Sequence, residues 1–278
     1  MHTRRALLLG LIGAGIQQSR TPALHEREAD AHGIRCLYQL LDLHTMPGGE
    51  GVLASLIDSA ERVGFAGLNI THPCKQNVMA HLTALSDDAR ELGAVNTVVF
   101  RDGARVGHNT DWWAFRKSLE EGLPGARLDH LVQLGAGGAG AATAYAALSL
   151  GAGHLRIIDT VHERAVALCE RLEKKFRGRV TAARRVEDAI ADADGLIHAT
   201  PTGMAAHPGL PLPASLLRPE LWVAEVVYVP VDTPLLVAAR ERGCRTIDGT
   251  GMALWQAVEA FRLFTGIDAD PDRMRRFF

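Results

Sequence analysis

The 278-residue sequence predicts an α/β protein of two domains, the second built around a doubly wound parallel sheet. Three observations predict it. Short apolar runs alternate with helix-forming stretches at the spacing of βαβ units along the whole chain. The segment LVQLGAGGAGAATAYAAL (131–148) places an apolar run, a glycine-rich turn and a helix former in direct succession. The composition, 47% hydrophobic and 22% charged, is that of an ordinary folded chain, and the length is comfortable for two domains.

The elements follow in order. The opening ALLLGLIG (6–13) reads as a buried parallel strand, since such strands appear as continuous apolar runs. A secretory signal would need a small-residue cleavage site, and QQSRTP follows instead. The tandem Arg4 and Arg5 leave export as the lesser alternative. SRTPALHEREADAHG (19–33) predicts a helix closed by Gly33, with His25 and His32 on its exposed face. IRCLYQLLDL (34–43) predicts a strand, GGEGVLASLIDSAERVG (48–64) a helix and FAGLNIT (65–71) a strand. KQNVMAHLTALSDDARELG (75–93) predicts one helix, followed by strands in AVNTVVFRDG (94–103) and ARVGHNTD (104–111). After the helix WWAFRKSLEEG (112–122) and the glycine-loop unit, strand and helix recur in LRIIDTVHERAVALCERLEKKF (155–176). RVTAARRVEDAIADADGLIHATPTGM (179–204) predicts a helix and the strand GLIHAT. LWVAEVVYVP (221–230) reads as one strand, TPLLVAARERG (233–243) as a helix, and CRTIDGTG leads into a last long helix, MALWQAVEAFRLFTG (252–266).

Several classes are excluded. A net charge of −2 leaves no electrostatic footprint for nucleic acid or an anionic membrane. No apolar run approaches the ~20 residues that cross a bilayer. Four cysteines without a C-x-x-C pair argue against a disulfide framework or a zinc knuckle and point to a reducing cytoplasm. No metal is expected.

Gly135, Gly137 and Gly140 satisfy G-x-G-x-x-G in its required setting, after a strand and opening a helix. The three glycines serve a tight turn, close backbone approach to a pyrophosphate, and close helix packing. Gly138 and Ala139 then lie at the helix N-terminus, where free amides bind an anion. Asp159 ends the next apolar strand, where a Rossmann-type domain carries its ribose-binding carboxylate. That acid accepts hydrogen bonds from ribose hydroxyls and repels a 2′-phosphate. Thr160 stands where an arginine would clamp the phosphate, and Arg164, a turn further on, only partly compensates. NAD is therefore expected over NADP. The earlier GLIGAG (10–15) fails the same test: Gln18 replaces the third glycine, and Pro22 interrupts an immediate helix.

In order, SRTPALH, GLNITHPCK, GAVNTV, GHNTD, GAGGAG, ATPTGM, VVYVP and DGTGMALWQAVEAF resemble the shikimate/quinate dehydrogenase family over nearly the full length. The resemblance implies a substrate domain at 1–111, an NAD-binding Rossmann domain at 112–248, and a final helical segment, 249–278, returning to the first. It implies reversible oxidation of a ring hydroxyl of shikimate or quinate to 3-dehydroshikimate or 3-dehydroquinate. Lys75 matches the catalytic lysine and Asp111 its partner carboxylate. Ser19 and Thr21 match the loop that binds the substrate carboxylate; Thr71, Asn96, Tyr228 and Gln256 match residues that touch the ring substituents. Thr200, Pro201, Gly203 and Met204 match the turn beside the nicotinamide, with Val226 and Gly249 closing over it. Without the resemblance, Ser19 and Thr21 would read as a loop turn and a helix cap, and Lys75 as a surface residue.

Two departures point to the NAD-using quinate/shikimate branch. Ser19-Arg20-Thr21-Pro22 replaces the common Ser-x-Ser-Pro, and Asp159-Thr160-Val161 replaces an Asn-Arg-Thr NADP motif. The extra methyl of Thr21 is worth only about 1–3 kcal/mol in discrimination, too little to choose between quinate and shikimate. An amino-shikimate analogue as substrate and a non-catalytic NAD-sensing regulator on the same scaffold stay open as alternatives. A cytoplasmic monomer or homodimer is expected, with a small acid as its partner and neither nucleic acid nor membrane.

Overall fold

The computed structural model describes residues 6–277. The strands are β1 (Ala6–Gly13), β2 (Arg35–Asp42), β3 (Gly67–Ile70), β4 (Ala84–Leu85), β5 (Thr97–Arg101), β6 (Ala104–His108), β7 (His130–Leu134), β8 (His154–Ile158), β9 (Val180–Ala182), β10 (Gly195–His198), β11 (Trp222–Glu225) and β12 (Thr246–Ile247). The helices are α1 (Thr21–Ala31), α2 (Leu53–Arg62), α3 (Asp87–Leu92), α4 (Asp111–Gly122), α5 (Gly138–Ser149), α6 (His162–Glu173), α7 (Val186–Ile190), α8 (Pro234–Glu241), α9 (Thr250–Thr265) and α10 (Pro271–Arg275). The chain divides into two units, Met1–Thr110 with Gln256–Phe278, and Asp111–Trp255.

The first unit holds a mixed sheet in the order β2-β1-β3-β5-β6-β4. β1 pairs in parallel with both β2 and β3, while β5 runs antiparallel to β3 and β6. Its apolar faces pack against α2 through Leu53, Ile57 and Ala60, and against α9 through Ala260, Phe261 and Phe264. Burial on both faces explains why β1 reads as an unbroken apolar run. The opening segment is thus a core strand over its described residues; Arg4 and Arg5 lie outside them.

The second unit holds an all-parallel sheet in the order β12-β11-β10-β7-β8-β9. The chain winds outward from β7 to β9 and then returns to β10 on the other side of β7. Ligands of such sheets bind beyond the strand C-termini at this reversal. Among the described residues, no helix is long and apolar enough to cross a membrane, and no group of three or more His, Cys, Asp or Glu residues could hold a metal ion.

Four expectations need correction. The single helix at 75–93 is instead a 3-10 turn (Asn77–His81), the short β4, and α3. Thr83 N donates to Arg105 O at 3.0 Å, drawing the middle of the stretch into the sheet, and Ser86 accepts from Ala89 N to restart the helix. β11 stops at Glu225 rather than running to Pro230, because the Val227 amide donates to the Glu225 carboxylate. A short strand, β9, lies in the 179–204 stretch. His25 is fully buried rather than exposed, stacked on Tyr38 and Phe261.

Candidate functional site

In the first unit, the predicted substrate residues gather at one end of the sheet. The loop after β1 is shaped by Asp42, the last residue of β2. Its carboxylate accepts from Gly15 N at 2.8 Å, Ile16 N at 3.2 Å, Gln17 Nε2 at 3.0 Å and His44 N at 3.0 Å. Burial pushes the Asp42 carboxyl up, but the four donors outweigh it and hold it below the usual range. The loop then delivers Ser19, whose hydroxyl donates to Thr21 Oγ1 at 3.0 Å and accepts from Thr21 N at 3.3 Å.

Thr71 follows β3, and its amide donates to Ile12 O on β1. A Cβ on Gly13 would lie 2.2 Å from Thr71 Cγ2, so the glycine gives the threonine its place. Lys75 is half-buried, and its carbonyl accepts from Val95 N at 2.8 Å, which sets the lysine beside the Asn96 backbone.

Asn96 is buried in a chain of hydrogen bonds with one polarity. Tyr38 Oη donates to Asn69 Oδ1 at 2.7 Å, Asn69 Nδ2 to Thr97 Oγ1 at 3.1 Å, and Thr97 Oγ1 to Asn96 Oδ1 at 3.1 Å. Asn96 Nδ2 donates to Thr110 Oγ1 at 2.9 Å, and Thr110 Oγ1 to the Gln256 carbonyl at 3.2 Å. The chain ties three strands and the return helix α9 to the backbone leading into Asp111, the buried first residue of α4.

In the second unit, the residues predicted for the cofactor lie at the C-terminal ends of β7, β8, β10 and β11 and beyond β12. Gly135 has φ +103°, and a Cβ there would lie 2.5 Å from Ala199 O, so the glycine loop and the 199–204 turn touch. A Cβ on Gly140 would lie 2.3 Å from Gly135 O. Around Gly137 a Cβ would meet nothing within 4 Å. The spacing glycines thus serve chain packing, while the middle one borders open space where the amides of Gly138 and Ala139 begin α5. That is the cradle a pyrophosphate requires. Gln133 braces it: its Nε2 donates to Gly135 O at 2.9 Å and Gly140 O at 2.7 Å, and Thr143 holds its Oε1.

The Asp159 carboxylate accepts from Ala136 N at 2.8 Å and Val161 N at 2.9 Å. It is thereby oriented on the glycine loop with acceptor capacity to spare. Arg164 is exposed on α6. Thr200 and Pro201 open the next turn, in which Met204 N donates to Pro201 O, and Gly203 adopts φ +99°. A Cβ on Gly249 would lie 2.3 Å from Val226 O, bringing those two predicted residues together, and Tyr228 lies half-buried just beyond.

Residues 11–98 match the model of the shikimate dehydrogenase substrate binding domain, and 249–276 that of the shikimate 5′-dehydrogenase C-terminal domain. A shikimate dehydrogenase (NADP(+)) of Streptomyces avermitilis is 57% identical over 98% of this chain and 94% of its own. The chain belongs to the shikimate/quinate dehydrogenase family. Another relative, a quinate/shikimate dehydrogenase (NAD(+)) of Corynebacterium efficiens, is 50% identical over 98% of both chains. The structure of quinate dehydrogenase from Corynebacterium glutamicum in complex with NAD superimposes with a TM-score of 0.94, at 48% identity and 99% coverage of both chains. The two family segments enclose Ser19, Thr21, Thr71, Lys75 and Asn96 in one, and Gly249 and Gln256 in the other.

Sequence reasoning missed Asp42, Gln133, His198 and Glu225. Each is a lone polar residue closing or interrupting an apolar strand, in LLD, LVQL, GLIH and WVAE. A buried polar group needs partners, and that requirement was the available signal.

Proposed function

We propose that the chain is an NAD-dependent quinate/shikimate dehydrogenase, oxidising a ring hydroxyl of the cyclic acid reversibly to the corresponding ketone. What carries the reading is the convergence of matched residues within each unit: Ser19, Thr21, Thr71, Lys75 and Asn96 at one sheet end of the first, and the Gly135–Gly140 cradle with Asp159 in the second. Ser19 and Thr21 hold the substrate carboxylate, and Thr71, Asn96, Gln256 and Tyr228 hold its hydroxyls.

When bound, the nicotinamide supplies the acceptor for the hydride leaving the carbinol carbon. Lys75 takes the hydroxyl proton as the carbonyl forms, and returns it in reduction. Asp111 takes the role of the partner carboxylate that its matching motif gives it. Gly135, Gly137, Gly138, Ala139 and Gly140 hold the pyrophosphate, and Asp159 the adenosine ribose. Thr200, Pro201, Gly203, Met204, Val226 and Gly249 frame the nicotinamide. NAD is preferred over NADP because the Asp159 carboxylate opposes a 2′-phosphate and Thr160 offers it no cation. The working place is the cytoplasm, and all four cysteines are free.

Steady-state kinetics with quinate and shikimate, each with NAD and NADP, test this. Oxidation of at least one acid with NAD is expected. Failure of both acids with both dinucleotides sinks the proposal.

A further inference from the structure

The second unit contains a buried polar network that the reaction does not use directly. His198 ends β10 and Glu225 ends β11, and both are essentially without solvent exposure. His198 Nδ1 contacts both carboxylate oxygens of Glu225, at 2.8 and 2.9 Å. A carboxylate only accepts, so Nδ1 carries the hydrogen. The other ring nitrogen, Nε2, lies 2.5 Å from Thr200 Oγ1, and on a neutral ring it accepts from that hydroxyl. The Thr200 oxygen in turn accepts from Thr202 N at 3.3 Å.

Glu225 is also saturated on its other side. Its Oε1 accepts from Val227 N at 3.0 Å and its Oε2 from Thr233 Oγ1 at 3.0 Å. Thr233 caps α8 by accepting from Leu236 N, and a Cβ on Gly203 would sit 3.3 Å from Thr233 Cβ. Glu225 therefore fixes the 200–204 turn at two points, through His198 to Thr200 and through Thr233 to Gly203. It fixes the 226–228 segment at a third.

A buried polar cluster is a poor stabiliser compared with apolar residues of the same volume, so its place at these strand ends calls for another explanation. Both segments it grips are those assigned to the nicotinamide. We propose that Glu225 and His198 are positioning residues: together they hold the Thr200 turn and the Val226–Tyr228 segment in the register that sets the nicotinamide ring for hydride transfer. This rests on the reading of the second unit as the dinucleotide site.

The test uses T200V, T200S, H198N, H198Q and E225Q in the full-length enzyme. Asn at 198 can keep the link to Glu225 but not that to Thr200; Gln can reach Thr200 but gives up the link to Glu225. Three readouts are taken: kcat and KM for both substrates, the dissociation constant of NADH by fluorescence titration, and the fluorescence lifetime of bound NADH.

The adenosine and pyrophosphate contacts are untouched, so NADH affinity should stay within about threefold of the parent. In T200V and H198N kcat should fall about 10- to 100-fold, since a misplacement of about 1 Å near the reacting atoms costs that much. The bound-NADH lifetime should shift in the same variants, and T200S should lose less than T200V. H198Q should lie between H198N and the parent, and E225Q should show both defects unless it fails to fold.

Parent-like kcat and lifetime in T200V and H198N overturn the inference, as does a loss of NADH affinity in step with kcat. If the parent enzyme itself binds no NADH, the failure belongs to the functional reading instead.

Discussion

The two units prepare for their ligands in different ways. The first holds its site with side chains: a relay of hydroxyls and amides from Tyr38 to Thr110, and a loop hung on the carboxylate of Asp42. The second shapes its glycine-loop cradle with backbone: glycines that let one main chain touch another, and amides at the start of α5. The difference follows from the ligands each is built for. A pyrophosphate is recognised by N–H groups, which every residue but proline has, so small side chains matter most. A polyhydroxylated acid needs donors and acceptors at particular points, which only chosen side chains supply.

The largest effect that could break this contrast is at Lys75. Lys75→Ala should lower kcat about 10²- to 10⁴-fold while leaving NADH affinity near the parent value, as measured by single-turnover kinetics and fluorescence titration. Equal loss of both would make the lysine structural and the division of labour false.

Two glycine substitutions sharpen the second half of the comparison. Gly137→Val fills open space, so the protein should keep its Tm while NADH binds about 10- to 100-fold more weakly. Gly140→Ala drives a Cβ into the Gly135 carbonyl, so Tm itself should drop. If calorimetry shows the same Tm for both, the glycines do not divide into packing and ligand positions.

Next in size is cofactor choice. Asp159→Ala with Thr160→Arg should raise the NADP-over-NAD ratio of kcat/KM about 10- to 100-fold, the combined value of a new charge-assisted hydrogen bond to the 2′-phosphate and the removal of one repulsion. An unchanged ratio would move cofactor selection away from the end of β8.

The smallest effect on turnover, and the one confined to the first unit, concerns His25. Burial lowers its pKa from 6.5 to about 3, with Glu28 pulling weakly the other way. Neither ring nitrogen has a hydrogen-bond partner among the described residues. The unfolded chain therefore binds a proton that the folded chain excludes between those values. Stability should rise with pH from about 3 to 6.5 through this group. At pH 5 the cost is about 2 kcal/mol. His25→Leu should flatten that slope in urea titrations at pH 5 and 7.5. A slope as steep as the parent's would place the acid sensitivity elsewhere.

Legibility followed the same division. The glycine loop and Asp159 could be read from residues alone, because a backbone site leaves a local pattern: a strand, three spaced glycines, a helix and an acid. Ser19, Thr21, Lys75 and Asn96 carry no such pattern, and only the family resemblance singled them out. The isolated polar residues in apolar strands were visible as letters but not as partners. His25 looked like an exposed helix position because its helix is polar on both sides, and only the aromatic rings of Tyr38, Phe261 and Phe264 decide its burial.

By itself, then, the sequence determined the alternation of strands and helices, the burial of β1 and the backbone cradle after β7, because each is set by residues adjacent in the chain. The tertiary structure decided where β11 stops, what Asp42 shapes, and how His198 and Glu225 meet. These depend on hydrogen bonds that only the folded chain brings into range, and a buried polar atom takes whatever partner the fold brings within about 3 Å.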